Sequence, residues 1–226
     1  MNTQTNQYTP RIVRGRVELW VTHKDSEIAF VYPSTGPGNY QTVGNEILKN
    51  NKLPAAEQTA SLLHAAYCIP DVKDEPEFQN VREIMKERWL WVFNGNLWTN
   101  KGVYVFADEK VEGRDKKITV NELEKMVGEG TARFAPKETY TFGEQTSKIL
   151  SQNGFVIASY GTEGAEKLGE ISAKFKYNPY VYGVEVNKGS APELRVSALD
   201  GNDGGLHVVG YLFDLSRGGH AFGVFP

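Results

Sequence analysis

The chain carries one cysteine, Cys68, in 226 residues. That excludes an internal disulfide and a thiolate metal site. Cys68 sits beside Ala65, Ala66 and Tyr67, and reads as a small buried residue. There is no basic cluster, and the net charge is −3, so no nucleic-acid groove is expected. No apolar run is long enough to span a bilayer, so no membrane insertion is expected. The first ten residues are polar, unlike a signal peptide, which leaves localisation open between the cell interior and display on a surface or virion. His23, His64, His207 and His220 are scattered without metal-ligand spacing. The loop at residues 33–39 lacks the Gly-Lys-Ser/Thr ending of a phosphate loop, and no nucleophile elbow, dinucleotide fingerprint or kinase signature occurs. No catalytic residue, metal or cofactor is therefore expected.

The most informative absence is local. Residues 195–225, RVSALDGNDGGLHVVGYLFDLSRGGHAFGVF, contain no Lys, Glu, Gln, Met or Trp, and the last glutamate of the chain is Glu193. What remains is rich in glycine, yet apolar residues alternate through it. Leu206, Val208 and Gly210 alternate with His207, Val209 and Tyr211, so one row is expected to pack inward and the other to look out. Residues 200–205, Asp-Gly-Asn-Asp-Gly-Gly, are turn chemistry. An EF-hand does not fit them, because Gly204 and Tyr211 stand where oxygen ligands are needed.

Earlier in the chain, residues 11–21 and 27–32 read as two strands around a polar turn, and residues 33–39 as a loop. A short helix is expected over 41–49. A helix opening at Pro54 places Ala55, Thr59, Leu62, Leu63 and Ala66 on one face and ends before Pro70. A second main helix starts at Asp74, with Glu77 three residues on and Pro76 in its first turn. Residues 89–93 and 97–99 read as strands joined by an Asn94-Gly95-Asn96 turn, followed by a strand over 102–106. Residues 108–150 read as a peripheral insertion with a capped helix from Thr119. Residues 155–159 and 180–186 read as strands, and 164–175 as a helix.

This order of elements, ending in Arg195-Val196-Ser197-Ala198-Leu199, Gly204-Gly205, Gly210-Tyr211 and Ala221-Phe222-Gly223-Val224, resembles the C-type lectin fold, in the branch shared with formylglycine-generating enzymes. That enzymatic branch uses a cysteine pair, which this chain lacks, so the activity is not carried over. A closer resemblance is to the variable proteins of diversity-generating retroelements, in particular an archaeal type. There a template is copied with errors at adenines, and its Asn codons become codons ending in a pyrimidine. Such codons never encode Lys, Glu, Gln, Met or Trp, the set missing from the tail.

The resemblance implies an α+β C-type lectin fold with mixed and antiparallel sheets, two main helices and a Gly-rich variable C-terminus. Residues 1–226 would be one domain and 195–226 its ligand-binding region. It implies scaffold roles for Val196, Ala198, Leu199, Leu206, Val208, Gly210, Phe222, Gly223 and Val224. It implies displayed, diversified positions at Asn202, His207, Val209, Tyr211, Leu212, Phe213, Leu215, Ser216, Arg217 and His220. The partner would be a variable ligand, a protein in the first instance, bound without catalysis. A carbohydrate-binding module or small enzyme of the same fold, and a virion or surface-layer component, stay open beside it.

Overall fold

The structure, a computed structural model, describes residues 11–13, 18–212 and 215–226. A first sheet holds β1 (Arg11–Val13), β2 (Glu18–His23) and β3 (Ser26–Val31) in antiparallel order. The single strand expected over 11–21 is thus two strands that pair with each other, Arg11 opposite Trp20. Residues 33–39, expected as a loop, contain a short strand, β4 (Thr35–Gly38), recruited by pairing with the C-terminal strand.

Then come α1 (Tyr40–Leu48), α2 (Ala56–Cys68), α3 (Pro70–Lys73) and α4 (Pro76–Glu87). Asn39 caps α1 by accepting from the Thr42 amide at 2.7 Å. The cap expected from Asp74 does not form. Helix α4 starts two residues later on Pro76, and Gln79 donates to the Asp74 carbonyl instead. Cys68 ends α2 half-buried, and burial pushes its thiol above its ordinary value.

The central element is β5 (Trp89–Thr99), one unbroken strand of 11 residues. The Asn94-Gly95 turn expected here does not exist. The side-chain amide of Asn94 donates to the Ser159 carbonyl at 3.2 Å, and that of Asn96 to Ser197 Oγ at 2.8 Å and the Gly210 carbonyl at 3.2 Å. These bonds satisfy buried polar groups that a hairpin would have left in solvent. The irregularity appears as a β-bulge, with Val196 opposite Gly95 but Ser197 opposite Val92.

Strand β6 (Gly102–Ala107) follows, then α5 (Val120–Gly128), β7 (Ala132–Pro136), β8 (Gly143–Glu144), α6 (Ser147–Gln152) and α7 (Gly154–Ser172). The Thr119–Glu122 capping box forms as expected. The span 108–150 is less peripheral than expected. It supplies β7 to the sheet through β6, and it buries Leu123, Ala132, Ala135 and Leu150. Residues 155–159 are helical rather than extended. Asn153 accepts from the Phe155 and Val156 amides and starts α7, which breaks at Gly161 (φ 69°, ψ 171°) and continues to Ser172. The helix expected over 164–175 is therefore longer, starting ten residues earlier at Gly154, and stands as a third long helix beside α2 and α4.

The last strands are β9 (Tyr180–Tyr182), β10 (Glu193–Asp200), β11 (His207–Leu212) and β12 (Gly219–Ala221). The large mixed sheet runs β4-β12-β5-β10-β11-β9-β8, and β6 and β7 extend it from the far half of β5. Helices α2, α4 and α7 cover one face through Leu62, Phe78, Leu168 and Phe155 against Leu90, Trp98, Leu199 and Val208. On the opposite face α1 and Val111 cover the middle through Tyr40, Val43, Trp91, Phe93 and Ala198. That cover reaches Leu212 at the end of β11 and includes no residue of β9.

Candidate functional site

The tail supplies β10, β11 and β12, and the scaffold positions that the resemblance implies pack on both faces of the sheet, Val196 and Ala198 toward α1 and Leu199, Leu206 and Val208 toward α2, α4 and α7. Val196, Ala198, Leu199, Leu206, Val208, Gly210, Phe222, Gly223 and Val224 are all buried. Gly210 is pinned at its carbonyl by Trp98 Nε1, 2.9 Å away, as well as by Asn96.

The outward row divides. The turn after β10 is a short 3-10 segment, Asn202–Gly204, with Asp203 at φ 56°. Asp200 Oδ1 accepts from the Asn202 amide at 3.2 Å and lies 2.8 Å from His207 Nδ1. A carboxylate only accepts, so His207 donates from Nδ1, and its ring orientation is set by the turn. Asn202 and His207 are half-buried. Tyr211 is 39% exposed.

Val209 does not fit the expected displayed set. It is 4% exposed, flanked across the ladder by Ala198 and Tyr182. Leu212 is half-buried against the cluster that includes Val196, Trp91 and Trp89. Phe213 lies outside the described residues. Leu215 is 55% exposed, Arg217 is exposed and Ser216 half-buried.

His220 is separated from β11 by β5 and β10, and its Nδ1 lies 3.0 Å from Ser34 Oγ. The structure thus brings Asn202, His207 and Tyr211 to one end of the sheet. It places Leu215, Ser216 and Arg217 in the connection to β12, and His220 apart from them.

Sequence reasoning missed three tyrosines outside the tail. Strand β9 pairs in parallel with β11, Tyr180 opposite His207 and Tyr182 opposite Val209. The Tyr180 and Tyr182 rings stack at 4.2 Å, and Tyr182 meets His207 at 5.5 Å and Tyr211 at 5.7 Å, both edge-on. Tyr177 stands beside them, 55% exposed. The alternation of Tyr180 and Tyr182 shows that they share a strand face, but nothing in it names the strand they pair with.

A second polar cluster lies on the helix side. Ser61 Oγ is 3.0 Å from both His23 Nδ1 and Lys167 Nζ. Lys167 also pairs with Glu163, while Glu57 pairs with Lys24 and Arg133. Every carboxylate there is answered by a cation, as in a network that ties β2, the turn after it and β7 to α2 and α7.

Burial, then Lys167 and Lys24, hold His23 below its ordinary 6.5, against the smaller pull of Glu163 and Glu57. Burial, then Arg88, does the same to His220. A depressed histidine is harder to protonate in the fold than in the unfolded chain. Its contribution to stability is therefore complete above the unfolded value of 6.5 and is lost as pH falls below it. The urea midpoint is expected to fall between about pH 7.5 and 5. The fall should be shallower in a His23→Gln, His220→Gln double variant. Parallel pH profiles for the two proteins would refute the assignment.

Among the described residues no group of three His, Cys, Asp or Glu side chains is placed to hold a metal ion, and no helix is long and apolar enough to cross a membrane. No protein-family model and no curated protein matches the sequence. A solved structure does match, over 83% of this chain and 93% of its own, with a TM-score of 0.56 at 12% identity. It is described as the accommodation of massive sequence variation in Nanoarchaeota by the C-type lectin fold. With its α+β architecture and mixed sheet, the chain has the C-type lectin fold.

Proposed function

We propose that the protein is a non-enzymatic binding protein whose C-terminal surface is diversified to engage varied protein ligands, with no metal required. One observation carries the reading. In a tail lacking five residue types, the apolar row is locked in the core, while Tyr211, Leu215 and Arg217 stand exposed on strand and loop. Side chains at such positions change affinity without disturbing the packing that holds the backbone. Tyr and Arg are also the types that most often dominate interface energy. The solved protein of the same fold, described as accommodating massive sequence variation, supports the reading by likeness. Within the displayed set the reading now centres on Asn202, His207, Tyr211, Leu215, Ser216 and Arg217, with Val209 and Leu212 serving the scaffold.

The test is a pair of display libraries. One randomises those six positions, and the other randomises Val196, Leu199, Leu206, Val208, Gly210 and Phe222. The outward library is expected to keep surface expression and to yield specific binders from a panel of unrelated proteins, and the inward library to lose expression. Equal loss in the two libraries, or an outward library without binders to any panel member, would overturn the proposal. Tail sequences from many genomes of one source should vary at the same six positions.

A further inference from the structure

The tyrosines of β9 lie outside the compositionally restricted tail, yet they complete its open face. Tyr180 and Tyr182 stack at 4.2 Å, and Tyr182 is joined edge-on by His207 and Tyr211. Beside them an open groove of about 380 Å³ is lined by Tyr177, Tyr180, His207, Glu144, Asp203 and Lys176. Three carboxylates surround this aromatic surface: Glu144, which accepts from Asn178 at 2.8 Å, Asp200, held by His207, and the exposed Asp203. Among the described residues that line the groove, one lysine stands against them, Lys176, whose Nζ already sits 4.8 Å over the Tyr177 ring. The face therefore offers tyrosine rings inside a field of net negative charge. Aromatic faces attract cations through their quadrupole, and carboxylates at the rim add to that attraction.

We propose that Tyr180 and Tyr182, with the rim carboxylates Glu144 and Asp203, form a constant docking surface beside the variable His207 and Tyr211, for a basic segment of the partner protein, with arginine or lysine side chains seated on the tyrosine rings. The proposal rests on the reading that this face binds protein, and it adds the chemistry of the partner. The variable positions would select among ligands, while the β9 tyrosines would supply an anchor common to all of them. The Tyr182 hydroxyl agrees with such a field: burial first, then Tyr180, Tyr211, Asp200 and Asp203, raise it above its ordinary value. Arginine suits the site best, because its planar, weakly hydrated guanidinium stacks on an aromatic ring.

The probe is a ten-residue peptide of alternating arginine and serine, titrated calorimetrically into the full chain, with a glutamate–serine peptide as its counterpart. The arginine peptide is expected to bind and the glutamate peptide not to. Tyr180→Ala with Tyr182→Ala should weaken the arginine peptide about tenfold, while Tyr182→Phe, which keeps the ring, should stay within about threefold. Glu144→Gln with Asp203→Asn should weaken it about fivefold, whereas Glu83→Gln with Glu87→Gln, on α4, should leave it unchanged. Should the double alanine variant fail to fold by circular dichroism, the charge variants decide. Equal affinity in the Glu144/Asp203 and Glu83/Glu87 variants, or equal binding of the two peptides, would overturn the proposal.

The outward display library separates this failure from failure of the diversified-surface reading. Binders that are indifferent to Tyr180→Ala and Tyr182→Ala would sink the constant anchor and leave diversification standing. A library without binders sinks diversification, and the peptide titration still reads the tyrosine face on its own.

Discussion

A Trp98→Ala variant is expected to lose about 3–5 kcal/mol of stability, read as a fall in the urea midpoint at unchanged slope. Trp98 is fully buried, and three aromatic rings close on it: Phe155 at 4.9 Å, Phe142 at 5.5 Å and Tyr140 at 5.8 Å. Truncation would leave a void lined by rings that belong to α7 and to the segment before β8, elements that cannot both collapse inward. It would also remove the Nε1 donor that holds the Gly210 carbonyl at 2.9 Å, in the middle of the tail's central strand. Domains of this size are stable by about 5–15 kcal/mol, so the loss takes a large share of the total. Tyr211, the residue after Gly210, points to the other face. Its Tyr211→Ala variant is expected to change stability by about 0.5 kcal/mol. That contrast between adjacent sites is what a displayed row on a rigid scaffold requires. Similar losses for Trp98→Ala and Tyr211→Ala would mean that the two rows are not energetically distinct.

Much of that scaffold was legible in the sequence because strand periodicity is strict. Once Leu206, Val208 and Gly210 are assigned to one side, His207 and Tyr211 must take the other, and they do. Val209 shows the limit of the same rule. Alternation sorts side chains into two faces, but whether a face is covered depends on neighbouring strands, and β9 and β10 arrive from elsewhere in the chain. The Asn94-Gly95 pair misled for a related reason. Turn chemistry is a local preference, and here it yields to buried amide partners on α7, β10 and β11, none of which is near in sequence. Residues 155–159 are apolar and β-branched enough for a strand, and periodicity over five residues cannot separate the two readings. The signal that could have decided was Asn153-Gly154, an N-cap followed by a helix start. The β9 tyrosines were out of reach altogether, since a parallel pairing between Tyr180 and His207 leaves no mark on either segment.

Replacing Gly219 with alanine is the second large effect, expected to cost about 3 kcal/mol. Gly219 lies in β12, paired with Gly38 of β4 on one side and with Trp89 of β5 on the other. A methyl group there would stand 2.1 Å from Trp91 Nε1 and 2.5 Å from Trp89 Nε1, well inside van der Waals contact. The Trp91 ring has no room to retreat. Trp91 is fully buried, donates to the Gly38 carbonyl at 3.1 Å, and meets Tyr40 edge-on at 5.6 Å and Trp89 at 5.8 Å. The backbone of β12 must move instead, which would break its pairing with β4 or β5. The neighbouring His220→Ala change only loses the contact with Ser34, a part-buried hydrogen bond worth about 1 kcal/mol. Urea unfolding of the two variants should therefore separate by about 2 kcal/mol. The same packing bears on diversification: a tail library that includes position 219 should return glycine there from every folded clone, whatever it returns at Tyr211 and Arg217. Folded clones carrying larger residues at 219 would mean that the tryptophan contact does not hold the tail, and that the boundary between scaffold and displayed surface lies elsewhere in the sheet.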